Sequence, residues 1–211
     1  MELEDNLKLE EFDQEVLREY DIRGIVDQNL TNNTAYTIGR TFGQIVCSKF
    51  DDKTIVVGYD GRLNSPILHK SLCIGLKKSG ANVINIGMGP TPMTYFAHYS
   101  LNTSAAIMVT GSHNPPEYNG FKLVLNKKSF YAEEIQNLKN LVSNSILPKE
   151  GSYKEINLIN EYVKRNIQNI NLNKNLKVAW DIGNGAMGAV IDLIISQLNK
   201  AEHIIINKEV D

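Results

Sequence analysis

From about residue 18 onward, short apolar runs alternate with segments whose apolar positions recur every three to four residues. That alternation predicts an α/β fold in which helices pack on a sheet. Arg18 to Ile25 reads as a strand. Thr31 then caps a helix, because Ala35, Ile38, Phe42, Ile45 and Val46 fall on one helical face. Thr54 to Val57 is a β-branched run closed by Gly58, the pattern of a strand buried on both faces. Ser65 and Pro66 read as N-cap and first helical position, Leu68, Leu72 and Leu76 as the buried face, and Gly80 as the stop. Val83 to Ile86 is a strand, Thr91-Pro92 opens a helix, and Ser104 to Val109 is a strand that runs into a loop beginning at Thr110. Gly120 to Leu125 reads as a strand, Ala132 to Ser145 as a helix, and Pro148 to Ser152 as a linker.

Beyond the linker, Tyr153 to Ile170 reads as a polar amphipathic helix, Lys177 to Ile182 as a strand, Met187 to Leu198 as a helix and His203 to Ile206 as a strand. The expected organisation is a three-layer α/β domain over residues 1–150 with a mixed, largely parallel sheet. The first βαβ part of a second, similar domain follows over 151–211. A βαβ unit ending there leaves a sheet edge unpaired, so the second domain is expected to be incomplete.

Composition narrows the function classes. The chain has 211 residues, 22 Lys or Arg and 24 Asp or Glu, a net charge of -2 with the basic residues scattered, which speaks against nucleic acid as a partner. The acidic N-terminus and the lack of an apolar stretch of about 20 residues predict neither signal peptide nor membrane span, hence a cytoplasmic protein. Cys47 and Cys73 both sit in apolar helical patterns and read as buried, reduced thiols, which suits that compartment.

The strongest chemical signal is Thr110-Gly111-Ser112-His113-Asn114-Pro115-Pro116-Glu117-Tyr118-Asn119-Gly120-Phe121-Lys122. It puts a hydroxyl, an imidazole, an amide and an ammonium on a loop at the C-terminal end of a strand, where open α/β sheets hold their ligands. A serine hydroxyl is too weakly acidic to act unaided as a nucleophile. It needs a base and a cation to stabilise transferred phosphoryl oxygens, and His113 and Lys122 can supply both. On residues alone, turn hydrogen bonds from Ser112 and Asn114 and a surface His113 are the favoured account of the loop.

The loop resembles, residue after residue, the active-site serine loop of the α-D-phosphohexomutases, the phosphomannomutase/phosphoglucomutase family. Three further matches stand in the family's order: Arg18-Glu19-Tyr20-Asp21-Ile22-Arg23-Gly24, Val57-Gly58-Tyr59-Asp60-Gly61-Arg62 and Gly87-Met88-Gly89-Pro90-Thr91-Pro92. Asp181-Ile182-Gly183-Asn184-Gly185-Ala186 resembles the opening of the family's second domain. The resemblance runs from Arg18 to Asp211. It implies an isomerase that interconverts hexose 1-phosphate and hexose 6-phosphate through phospho-Ser112 and a bound 1,6-bisphosphate, which also serves as activator. It places His113 and Lys122 beside the phosphoserine and aims Arg23 at phosphate. Tyr20 reads as substrate-facing or as ordinary core packing, Asp60 and Arg62 as buttresses of the serine loop, and Asn114 and Asn119 as residues that shape it.

The same resemblance implies four domains and Mg2+, held by the Ser112 phosphate and an Asp-Gly-Asp-Gly-Asp-Arg loop. No Asp-x-Asp-x-Asp occurs in this sequence. The isolated chain is therefore expected to turn over little, since a phosphoserine carries about -1.5 to -2 charge that repels a second phosphate. Two alternatives remain open. One is a noncatalytic remnant, or a subunit that binds a complementary chain carrying the missing domains. The other is a dinucleotide module, because Gly183-Asn184-Gly185-Ala186-Met187-Gly188 satisfies G-x-G-x-x-G. Walker A, H-E-x-x-H and Cys-x-x-Cys motifs are absent.

Overall fold

The computed structural model describes residue 4, residues 6–143 and residues 149–210. The strands are β1 (Ile22–Ile25), β2 (Thr54–Tyr59), β3 (Asn82–Met88), β4 (Ala105–Val109), β5 (Tyr118–Leu125), β6 (Lys128–Ser129), β7 (Tyr153–Glu155), β8 (Leu176–Asp181) and β9 (Ala201–Ile206). The helices are α1 (Asn32–Lys49), α2 (Ser65–Lys78), α3 (Thr91–Ser100), α4 (Glu133–Gln136), α5 (Ile159–Ile167) and α6 (Ile191–Ile195). Seven strands form one sheet in the order β1-β5-β4-β2-β3-β7, with β6 added beside β5; β8 and β9 form a separate parallel pair. Strands β4, β2, β3 and β7 are mutually parallel, while β5 runs antiparallel to both β4 and β1.

The two-residue period of the central strands divides the core into layers. Ile55, Val57, Val83, Ile107, Val109, Phe121 and Leu123 point to the side carrying α1 and α2, with Ile38, Phe42, Leu68, Leu72 and Leu76. Val56, Ile84, Ile86, Ala106 and Val124 point to the other side, against Met93, Ala97, Tyr162, Val163, Val190 and Ile194. Since both faces are covered, β4 is buried along its whole length, as its uninterrupted apolar run requires.

The Thr31 cap is a full capping box: its hydroxyl accepts from the Asn33 and Thr34 amides at 3.1 Å each, and Thr34 Oγ1 accepts from the Thr31 amide at 2.9 Å. Helices α1 and α2 cross where Gly39 meets the Leu72 carbonyl and Gly75 meets the Tyr36 carbonyl, so a Cβ at either glycine would strike backbone. Gly75→Ala is expected to lower unfolding free energy by about 2–3 kcal/mol, read as a lower urea midpoint at unchanged slope. An unchanged midpoint would mean that the helices cross farther apart than described.

Several elements differ from the sequence reading. Helix α2 starts one residue early, with Asn64 as cap residue, because Ser65 Oγ is engaged elsewhere: it donates to Asp60 Oδ1 at 2.5 Å and accepts from Asn119 Nδ2 at 2.9 Å. The helix expected over Ala132–Ser145 is the single turn of α4 followed by a 3-10 segment, Asn137–Leu141. Gln136 Nε2 is drawn off to the Leu17 carbonyl there. Asn144, Ser145 and Pro148 of the helix and linker readings lie outside the described residues.

The helix read over Tyr153–Ile170 is a correction. Tyr153–Glu155 is strand β7, which pairs with the β3 edge in the register Val83↔Tyr153 to Asn85↔Glu155. Three residues beyond the 150/151 division thus belong to the first sheet, and the helix is confined to Ile159–Ile167, after Asn157 Oδ1 accepts the Ile159 amide. An open edge in need of hydrogen bonds outweighs a weak helical periodicity. Likewise the Met187–Leu198 helix is a 3-10 turn, Ala186–Ala189, followed by the five residues of α6. Cys47 and Cys73 are free thiols, the former half-buried and the latter buried. Among the described residues no helix is long and apolar enough to cross a membrane.

Candidate functional site

The loop between β4 and β5 leaves the sheet at Thr110, whose amide still bonds the Gly120 carbonyl at 2.9 Å. Ser112 then adopts φ 54°, a left-handed conformation uncommon for a residue with a Cβ, so something must hold it. The holders are identifiable. Thr110 Oγ1 accepts the Ser112 amide at 2.9 Å, and Asn114 Nδ2 donates to the Gly111 carbonyl at 2.7 Å. Asp60 Oδ2 accepts the Gly111 amide at 3.0 Å.

Arg62 is the central brace. Its Nη1 donates to the carbonyls of Pro115 at 2.7 Å and Tyr118 at 3.0 Å, and its Nη2 to those of Ser112 at 3.2 Å and Asn114 at 2.5 Å. Gly111 leaves room for it, since a Cβ there would overlap the guanidinium. Asp60 orients this arginine from 3.7 Å and also accepts from the Arg62 amide and from Ser65. Asn119, fully buried, ties the far end of the loop to Asn64 and Ser65 at 2.5 and 2.9 Å. The loop is thus fixed from beneath by five side chains, while Ser112 and His113 stay exposed.

Ser112 Oγ lies 3.3 Å from His113 Nδ1, close enough for proton exchange. Both face a cavity of about 620 Å³ together with Asp60, Arg62 and Thr91, and Gly183, Asn184 and Met187 also line it. Arg23, Lys122 and Tyr20 lie outside that lining. Arg23 still reaches the loop, donating to Asn114 Oδ1 at 3.0 Å. Lys122 does so at one remove: its ammonium sits 3.5 Å from Asp21 Oδ2, which also pairs with Arg23 at 2.8 Å. Tyr20 is 72% exposed, which removes the core-packing reading.

The sequence reading singled out Arg23 and Lys122 but not Asp21, the buried carboxylate that joins them. The only signal was its place between Tyr20 and Arg23. Asn64, Ser65 and Thr110 were missed for the same reason, since short polar side chains carry no pattern. The G-x-G-x-x-G turn meets a short 3-10 segment rather than a long helix, and Asn184 is bound to the Asn207 and Glu209 carbonyls, leaving a pyrophosphate no helix end to bind.

The residues present do not by themselves fit a magnesium site. Among the described residues no three His, Cys, Asp or Glu side chains converge. The nearest carboxylates, Asp60 and Asp21, are already bonded to Arg62, Ser65, Gly111, Arg23 and Lys122.

The family model for phosphoglucomutase/phosphomannomutase, alpha/beta/alpha domain I, matches residues 14–146. The chain belongs to the phosphoglucomutase/phosphomannomutase family. It is 39% identical over 197 residues to the phosphomannomutase/phosphoglucomutase of Pseudomonas syringae, covering 93% of this chain and 42% of the relative. It is likewise 42% identical over 181 residues to a phosphomannomutase of Vibrio cholerae, covering 82% and 39%. The crystal structure of a family protein from Burkholderia thailandensis superposes with a TM-score of 0.86 at 36% identity, covering 95% of this chain and 45% of that one. The mixed α/β architecture is therefore that of the family, and the chain spans about two fifths of the length of the curated relatives it matches.

Proposed function

We propose that this chain is the phosphoserine-bearing part of a phosphohexomutase that interconverts hexose 1-phosphates and hexose 6-phosphates. The observation that carries the reading is the Ser112 hydroxyl, exposed on a left-handed turn that Arg62 and Asp60 hold rigid, with an imidazole nitrogen 3.3 Å away. When a hexose 1,6-bisphosphate donates a phosphoryl group, the new bond forms between Ser112 Oγ and phosphorus, the bond to the sugar oxygen breaks, and the serine proton passes by way of His113 Nδ1 to the departing sugar oxygen, which leaves as a hydroxyl. In the reverse direction the sugar hydroxyl attacks and the proton returns. Arg23, bonded to Asn114, and Lys122, held beside it by the Asp21 carboxylate they share, leave one net positive charge behind the loop, offsetting the charge that develops on the phosphoryl oxygens. Arg62 and Asp60 position the loop without touching the transferred group.

Mg2+ belongs to this proposal only through ligands outside this chain, the Ser112 phosphate being what this chain contributes. Hexose phosphates are the substrates and the cytoplasm the setting. A complementary segment or chain is a proposed partner: β8 and β9 pair only with each other among the described residues, and Ile204 and Ile206 are 56% and 46% exposed.

Incubation of the isolated chain with glucose 1,6-bisphosphate is expected to add one phosphoryl group, seen by intact mass. A coupled assay on the same sample is expected to show little conversion of glucose 1-phosphate to glucose 6-phosphate. Normal turnover by this polypeptide alone would overturn the division of labour proposed here.

A further inference from the structure

Against α2 lies a second cavity, of about 450 Å³, that shares no lining residue with the first. One stripe of α2 forms its wall, through Pro66, His69, Lys70, Cys73, Ile74 and Lys77, and Tyr59, Asn85 and strand β7 close it. The sequence reading lacked this site because it lacked β7, whose Tyr153 and Glu155 point the same way.

The groups present are unlike those of the serine cavity. The Tyr59 and His69 rings meet at a tilt of 51° with centres 4.9 Å apart, and line the cavity together with Cys73, Ile74 and Tyr153. Tyr153 is held by Asn85 Nδ2 and by Glu155 Oε1, each at 2.9 Å. Glu155 Oε1 also accepts from Asn85 at 3.2 Å, which leaves its other oxygen without a hydrogen bond among the described residues. Lys70 likewise makes no ion pair among them, and none joins Lys70 to Glu155, although both line the cavity. Tyrosine rings in the lining, an open carboxylate oxygen and a separate free ammonium call for a dipolar ligand: a planar ring to lie against Tyr59 or Tyr153, an N–H for Glu155 and an anion for Lys70.

We propose that this cavity binds a planar, nitrogen-bearing aromatic ring with an anionic tail, the chemistry of a nucleoside monophosphate. The proposal stands independently of the role of Ser112. Its test is calorimetric titration of the full chain with adenosine 5′-monophosphate, alongside adenosine, which lacks the anion, and ribose 5-phosphate, which lacks the ring. The monophosphate is expected to bind at least about tenfold more tightly than either part, and Glu155→Gln and Lys70→Glu each to weaken it by about tenfold. Both positions are exposed, so circular dichroism of the variants is expected to match wild type. Saturating glucose 1,6-bisphosphate is expected to leave the binding unchanged. No binding, equal binding of ribose 5-phosphate, indifference to both substitutions, or displacement by the bisphosphate would each overturn the assignment.

Discussion

Replacing Arg62 by alanine is expected to lower the unfolding free energy by about 2–4 kcal/mol and to cut phosphorylation of Ser112 at least about tenfold. The guanidinium is mostly buried and donates to four loop carbonyls at 2.5–3.2 Å. Without it those carbonyls lose their donors, and Asp60 keeps a partly buried charge with no cation beside it. The turn at Ser112 then has little to hold its left-handed conformation, so the hydroxyl samples orientations away from His113. Arg62→Lys tests the geometry separately, because a single ammonium cannot serve carbonyls on both sides of the loop. It is expected to recover part of the stability and little of the phosphorylation. The measurements are urea unfolding and intact mass after exposure to a hexose 1,6-bisphosphate. Wild-type behaviour of Arg62→Ala in both would show that the loop is held by something else.

Acidification is expected to destabilise the fold through His69 by about 3 kcal/mol. The imidazole is 5% exposed, and burial depresses its pKa from 6.5 to about 4, against smaller opposing effects of Asn85 and the Glu155 charge. The unfolded chain therefore binds the proton more readily than the folded one. The stabilisation is fully present above pH 6.5 and is lost as pH falls through the window from 6.5 to about 4, at about 1.4 kcal/mol per tenfold change in proton affinity. His98 acts in the same direction: it is fully buried, its pKa is lowered chiefly by burial, and its Nε2 accepts the Lys127 amide, which a protonated ring cannot do. Unfolding free energies of wild type and His69→Gln at about pH 7 and about pH 4 check this, and the variant is expected to show the shallower dependence. Equal slopes would contradict the attribution to His69.

What was legible in the sequence was whatever is written locally. The β-branched run Thr54–Val57, the Thr31 cap and the loop from Thr110 to Lys122 each announce themselves within a short contiguous stretch. The Asp60-Gly61-Arg62 buttress was legible because its residues are contiguous, although the four carbonyls it serves are 50 to 56 positions away. What was not legible depends on pairing across the fold. Tyr153–Glu155 has the composition of a helix start and becomes a strand only because β3 offers an edge. Asp21 matters only because β1 lies beside β5, so that Arg23 and Lys122 reach one carboxylate. Ser65 looked like a cap from its neighbours and proved to be a link between Asp60 and Asn119.

The most direct trial of the account is to locate the phosphate. The chain is exposed to glucose 1,6-bisphosphate, digested and sequenced by tandem mass spectrometry, with Ser112→Ala treated in parallel. The account requires a single phosphoryl group on Ser112 and none on the variant; a phosphate on another residue, or equal uptake by Ser112→Ala, would contradict it.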